Sequence, residues 1–90
     1  MPASYEQAIT LDGDLHARPA GALAMAAAKF AADVTLTVGD RTASARSVLA
    51  VMGLGATSGQ KVTATAEGPD AEQAVAAVIA ILADATTVGG

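Results

Sequence analysis

Ninety residues leave room for one domain, and a chain this short buries a small core with little surplus stability. The absence of Cys excludes a disulfide framework, a thiolate metal site and a Cys nucleophile, so packing alone must hold the fold. A net charge of −4 with five Lys plus Arg, and Tyr5 and Phe30 as the two aromatics, excludes both a phosphate-backbone footprint and a base-stacking platform, so nucleic acid is not an expected partner.

The opening residues Met1 to Glu6 contain no basic region followed by an apolar stretch, which leads to the expectation of a cytoplasmic protein. From Tyr5 onward, Gln7, Ile9 and Leu11 alternate with Glu6, Ala8 and Thr10, predicting a first strand over about 4–10. Gly13-Asp14 breaks that strand. A helix is predicted from Ala17, with Pro19 in its first turn and Ala20, Leu23, Ala27 and Phe30 at helical spacing; His16 falls at its cap.

Val34 and Leu36, separated by outward Thr35 and Thr37, mark a second strand. Gly39-Asp40 then supplies a two-residue turn into a third, Arg41 to Ala45, which pairs antiparallel with it. Ser47 opens a short helix, Val48 to about Gly53, because its hydroxyl can accept a first-turn amide while Gly53 and Gly55 end the turn. Val62, Ala64 and Ala66 alternate as a fourth strand, stopped by Gly68-Pro69-Asp70. Asp70 with Gln73 has the form of a capping box for a last helix, whose Val75, Val78, Ile79 and Leu82 share one face. Its apolar run, Ala74 to Ala83, is about half the ~20 residues of a membrane span and reads as a buried helix face.

The order βαββαβα predicts an α/β two-layer (α+β) open-faced sandwich, an antiparallel sheet carrying its helices on one face. A single domain spans 1–90, with an ordered core over about 4–84 and a frayed tail at 85–90.

Within this frame, Leu15-His16-Ala17-Arg18-Pro19-Ala20 places the chain's one His at a helix N-terminus, two residues from an Arg. Unpaired first-turn amides and the macrodipole favour an anion there by ~0.3–1 kcal/mol, and up to ~2 kcal/mol in favourable geometry. Arg18 adds a charge-assisted hydrogen bond of roughly 1.5–3 kcal/mol. Such modest magnitudes suit a group that is held briefly and released, and neutral imidazole is a competent nucleophile toward phosphorus near neutral pH. A lone His at a helix start is more often an exposed polar residue or a weak cap, so the constellation by itself leaves both roles open. With no second His and no Cys, a metal site is not expected.

From Gly13 to about Asp84 the chain resembles the HPr family of histidine-containing phosphocarriers of the bacterial phosphoenolpyruvate-dependent sugar phosphotransferase system. The resemblance runs without a gap through the His16-Ala17-Arg18-Pro19-Ala20 helix start, the Lys29-Phe30 helix end, the Ala45-Arg46-Ser47 turn, the Leu54-Gly55 helix exit and the Ala66-Glu67-Gly68 strand exit. It implies a four-stranded antiparallel sheet covered on one face by three helices. It further implies a carrier that is not itself an enzyme and needs no cofactor. His16 would accept phosphate on Nδ1 from enzyme I and donate it to enzyme IIA domains for sugar uptake, with Arg18 and the Ala17 amide stabilising the phosphoryl group. Ser47 matches the regulatory serine modified by an HPr kinase/phosphorylase, and Val48, Leu49, Met52 and Leu54 match the apolar patch offered to partners; an apolar stripe at helical spacing is more often buried, so that some of the four fill the core is the alternative. Partial exposure is expected for Val48 and Leu49, and burial for Val51. The chain is expected to be a monomer without membrane insertion.

Departures from the family pattern fall near the site. Relatives usually carry Gly directly before the Leu-His pair; here Gly13-Asp14 sets a carboxylate two residues from His16, where it could either favour the protonated imidazole or repel phosphate. Met25 and Ala50 stand where some relatives have basic residues, leaving Arg46 and Lys29 among the few positives near the docking helices. Two other functions fit parts of the pattern. A same-fold carrier in a regulatory chain, nitrogen-type or feeding a dihydroxyacetone kinase, would share the His16 chemistry and differ in its acceptor. A binding module without phosphate chemistry would be indifferent to His16→Ala.

Overall fold

Small apolar side chains alternating with Thr build the middle of the molecule. The computed structural model of the chain describes residues 4–85; residues 86–90, most of the expected frayed tail, lie outside the described residues, while Ala85 closes the last helix. The order is β1 (Ser4–Thr10), α1 (Ala17–Ala27), β2 (Asp33–Val38), β3 (Arg41–Ser44), α2 (Val48–Gly53), β4 (Lys61–Glu67) and α3 (Ala71–Ala85). Four strands form one antiparallel sheet in the order β1-β4-β2-β3.

Register explains why the two faces differ. One row across the sheet reads Gln7, Ala64, Leu36, Ala43, and the next Glu6, Thr65, Thr35, Ser44. Ala64, Leu36 and Ala43 are buried beneath the helices, whereas Thr35, Ser44 and Glu6 are exposed on the open face. Because β1 is an edge strand, its inward residues are only partly covered: Tyr5 and Ile9 pack against the core, but Gln7 is exposed.

On the helix side, α3 buries Ala74, Val75, Val78, Ile79 and Leu82 against β1 and β4 and lies beside α1. The periodic face expected there is the face that packs. Helix α1 buries Pro19, Ala20, Leu23 and Ala27, and its Ala content allows close approach to its neighbours. The expected run to Lys29-Phe30 stops earlier, at Ala27. Lys29 N–H donates to the Ala26 carbonyl at 3.1 Å and Phe30 N–H to that of Ala27 at 3.2 Å, so the final turn tightens to a three-residue spacing.

Two connections fix the frame. The β2–β3 hairpin turns through Gly39, whose φ of +61° meets the demand of a two-residue loop. At the exit of β4, Gly68 has φ +133°, and a Cβ there would stand 3.3 Å from the Ala32 Cβ; only Gly lets the two segments close. Asp70 does mark the start of α3, its carbonyl accepting the Ala74 amide at 2.9 Å. The carboxylate expected to serve a capping box has a longer reach: Oδ2 accepts from Ala31 N–H at 2.8 Å and Oδ1 from Ala32 N–H at 2.9 Å. These bonds hold the Asp70 carboxyl below its usual pKa.

Candidate functional site

Leu15 and Pro19, both buried, pin the chain on either side of His16. His16 is the N-cap of α1, with extended backbone (φ −117°, ψ −169°), and its carbonyl accepts the Ala20 amide at 3.1 Å. Its side chain makes no capping hydrogen bond and is exposed, so the ring is available to a partner. Pro19, at the third helical position, has no N–H. The Ala17 and Arg18 amides remain, and among the described residues neither finds an acceptor. The Arg18 side chain is likewise exposed and makes no ion pair or hydrogen bond among the described residues. An open ring, two open amides and an uncommitted guanidinium share one helix end, an arrangement that can seat an anion at His16.

Asp14 is exposed, as its position beside the site requires, but its carboxylate is engaged: Oδ1 accepts from Ser58 N–H at 3.0 Å. Ser58 also donates its hydroxyl to the Asp12 carbonyl at 3.2 Å. Sequence reading missed Ser58 altogether. Thr57-Ser58-Gly59 carries an ordinary turn composition, and nothing in it announces a contact with a loop 44 residues away.

Ser47 caps α2 as expected, its Oγ accepting from Ala50 N–H at 3.2 Å, and its side chain is half-buried. Of the four docking candidates, three reach the surface to different degrees. Leu49 is 82% exposed and Met52 41%, while Val48 is partly buried against the core. Leu54 is a correction: at 4% exposure it belongs to the core, because the chain turns inward after Gly53 to anchor the end of α2. Val51 is buried, as expected. Met25, on the outer face of α1, is 73% exposed, and α1 packs beside α2. Arg46, one of the few positive charges near α2, is tethered: Nη1 stands 3.0 Å from Asp33 Oδ1 and Nη2 donates to the Phe30 carbonyl at 2.6 Å.

Among the described residues there is no cluster of His, Cys, Asp or Glu able to hold a metal ion, and no helix long and apolar enough to cross a membrane. A family model described as the PTS HPr component phosphorylation site matches residues 4–84. The chain belongs to the HPr family. Phosphocarrier protein HPr of Vibrio cholerae is 40% identical over 74 residues, covering 82% of this chain and 87% of that protein. HPr of Mycoplasma capricolum is 33% identical over 88 residues, covering 98% and 99% respectively. The crystal structure of HPr from Bacillus anthracis superposes with a TM-score of 0.81 at 32% identity, covering 89% of this chain and 98% of that one. The HPr fold, an open four-stranded sheet with three helices, is thus the fold of this chain.

Proposed function

We propose that this chain is a phosphoryl carrier in which His16 accepts phosphate from enzyme I and passes it to enzyme IIA domains for sugar uptake. The observation that carries this is the open end of α1, where the exposed His16 ring stands with the Ala17 and Arg18 amides and the Arg18 guanidinium, none of them committed to a partner among the described residues. Transfer begins as a neutral ring nitrogen attacks the phosphorus of the donor; the N–P bond forms as the donor's own bond to phosphorus breaks. In the reverse sense the acceptor's nucleophile displaces the ring. Positioning and charge stabilisation are all the chain supplies, and the partners complete each site.

Leu49 and Met52, with part of Val48, form the apolar contact for those partners. Ser47 is the regulatory position: phosphate from an ATP-dependent kinase would add charge and bulk at the start of α2 without breaking the fold, since a helix N-terminus tolerates an anion. The test for His16 is incubation with phosphoenolpyruvate and enzyme I. An acid-labile, base-stable phosphoprotein is expected from the wild type and none from His16→Ala; label persisting in the variant would overturn the assignment.

A further inference from the structure

The loop between β1 and α1, which presents His16, is stitched to the 56–60 segment along its whole length. Leu11 N–H donates to the Gln60 carbonyl at 2.9 Å, Gly59 N–H to that of Leu11 at 2.8 Å, and Leu15 N–H to that of Ala56 at 3.0 Å. Midway between these backbone anchors sits Gly13, the most permissive residue type, and Ser58 grips the loop on both sides of it. The Ser58 hydroxyl holds Asp12 through its carbonyl and the Ser58 amide holds Asp14 through its carboxylate.

We infer that Asp14 is a positioning residue for phosphoryl transfer: its carboxylate, by accepting the Ser58 amide, fixes the loop immediately before the Leu15-His16 pair. This rests on the reading of His16 as the phosphoryl carrier. Removing the carboxylate leaves the Ser58 amide without that acceptor and frees the loop between Gly13 and Leu15. A nucleophile that wanders by a fraction of an ångström loses alignment with phosphorus. The 54–60 segment also leads out of α2, so the Asp14–Ser58 contact ties the reactive loop to the exit of the docking helix.

Charge and positioning separate in two variants. Asp14→Asn keeps an acceptor oxygen and loses the charge; Asp14→Ala loses both. Initial rates of phosphoryl uptake from phosphorylated enzyme I are compared with the wild type, alongside amide hydrogen exchange at Ser58 and Leu15. Asp14→Ala is expected to be slower by about threefold to tenfold in kcat/KM with faster exchange at both amides, and Asp14→Asn to restore both readouts. An unlabelled wild type would remove the carrier function and this inference with it. A labelled wild type matched by Asp14→Ala, or both variants running faster than wild type, would overturn the positioning role alone. Should circular dichroism show Asp14→Ala unfolded at the assay temperature, Asp14→Leu, which keeps the side-chain shape and has no acceptor, decides: a slower rate with faster exchange at Ser58 supports the role, and wild-type values of both overturn it.

Discussion

The Asp70 carboxylate, at the threshold of α3, accepts the Ala31 amide at 2.8 Å across 39 residues of chain. With the companion bond from Ala32, it joins the exit of α1 to the entry of α3 and holds the carboxyl below its usual pKa. A depressed folded pKa means that the stabilisation is complete above the unfolded value of about 4 and is lost as the pH falls through the lower folded value. Urea melts between about pH 6 and pH 2 check this. The wild type is expected to lose more stability on acidification than Asp70→Ala, and the two curves to converge at the acid end.

Leu54 and Leu49 lie five positions apart in opposite surroundings. Leu54 is in the core and Leu49 is 82% exposed. Leu54→Ala should cost ~2–5 kcal/mol of stability, the range for truncating a buried Leu. Leu49→Ala should change stability by less than ~0.5 kcal/mol and raise the KM for phosphorylated enzyme I. Thermal melts and transfer kinetics on the two variants separate packing from docking.

Ser47→Ala removes the acceptor for the Ala50 amide and should cost ~0.5–2 kcal/mol. Ser47→Asp keeps a capping oxygen and adds a charge, so it should melt near the wild type while accepting phosphate more slowly. Acid-stable phosphate from ATP and native extract, absent in Ser47→Ala, identifies the modification itself.

Arg18→Ala should slow phosphoryl uptake by about tenfold, the loss of one charge-assisted hydrogen bond of roughly 1.5 kcal/mol. Stability should hardly change, because the Arg18 side chain is exposed and makes no contact with a charged partner among the described residues. Stopped-flow or quench kinetics against a melt of the same variant give both numbers.

Element order was legible because each strand and helix advertises itself locally. Val34-Thr35-Leu36-Thr37 alternates, Val75, Val78, Ile79 and Leu82 recur at helical spacing, and Gly39-Asp40 marks the hairpin. The helix start at His16 was legible for the same reason, since Pro19 and the Ala-rich run follow it. What stayed hidden was tertiary reach. Asp70 has capping-box spacing with Gln73 yet extends its carboxylate to Ala31 and Ala32, and nothing local to Arg46 points to Phe30 and Asp33, which hold its guanidinium. Leu54 follows an apolar helix whose outer face is exposed, and only the inward turn after Gly53 buries it. Ser58 gave no signal, because a backbone amide is the same in every residue but Pro.

The central claim is that His16 carries the phosphoryl group, and phosphorus NMR of the protein after incubation with phosphoenolpyruvate and enzyme I tests it most directly. The expected spectrum has a phosphohistidine resonance that is lost on acidification, absent in His16→Ala, and discharged when an enzyme IIA domain is added. A wild-type spectrum without that resonance, or one in which it survives His16→Ala, would contradict it.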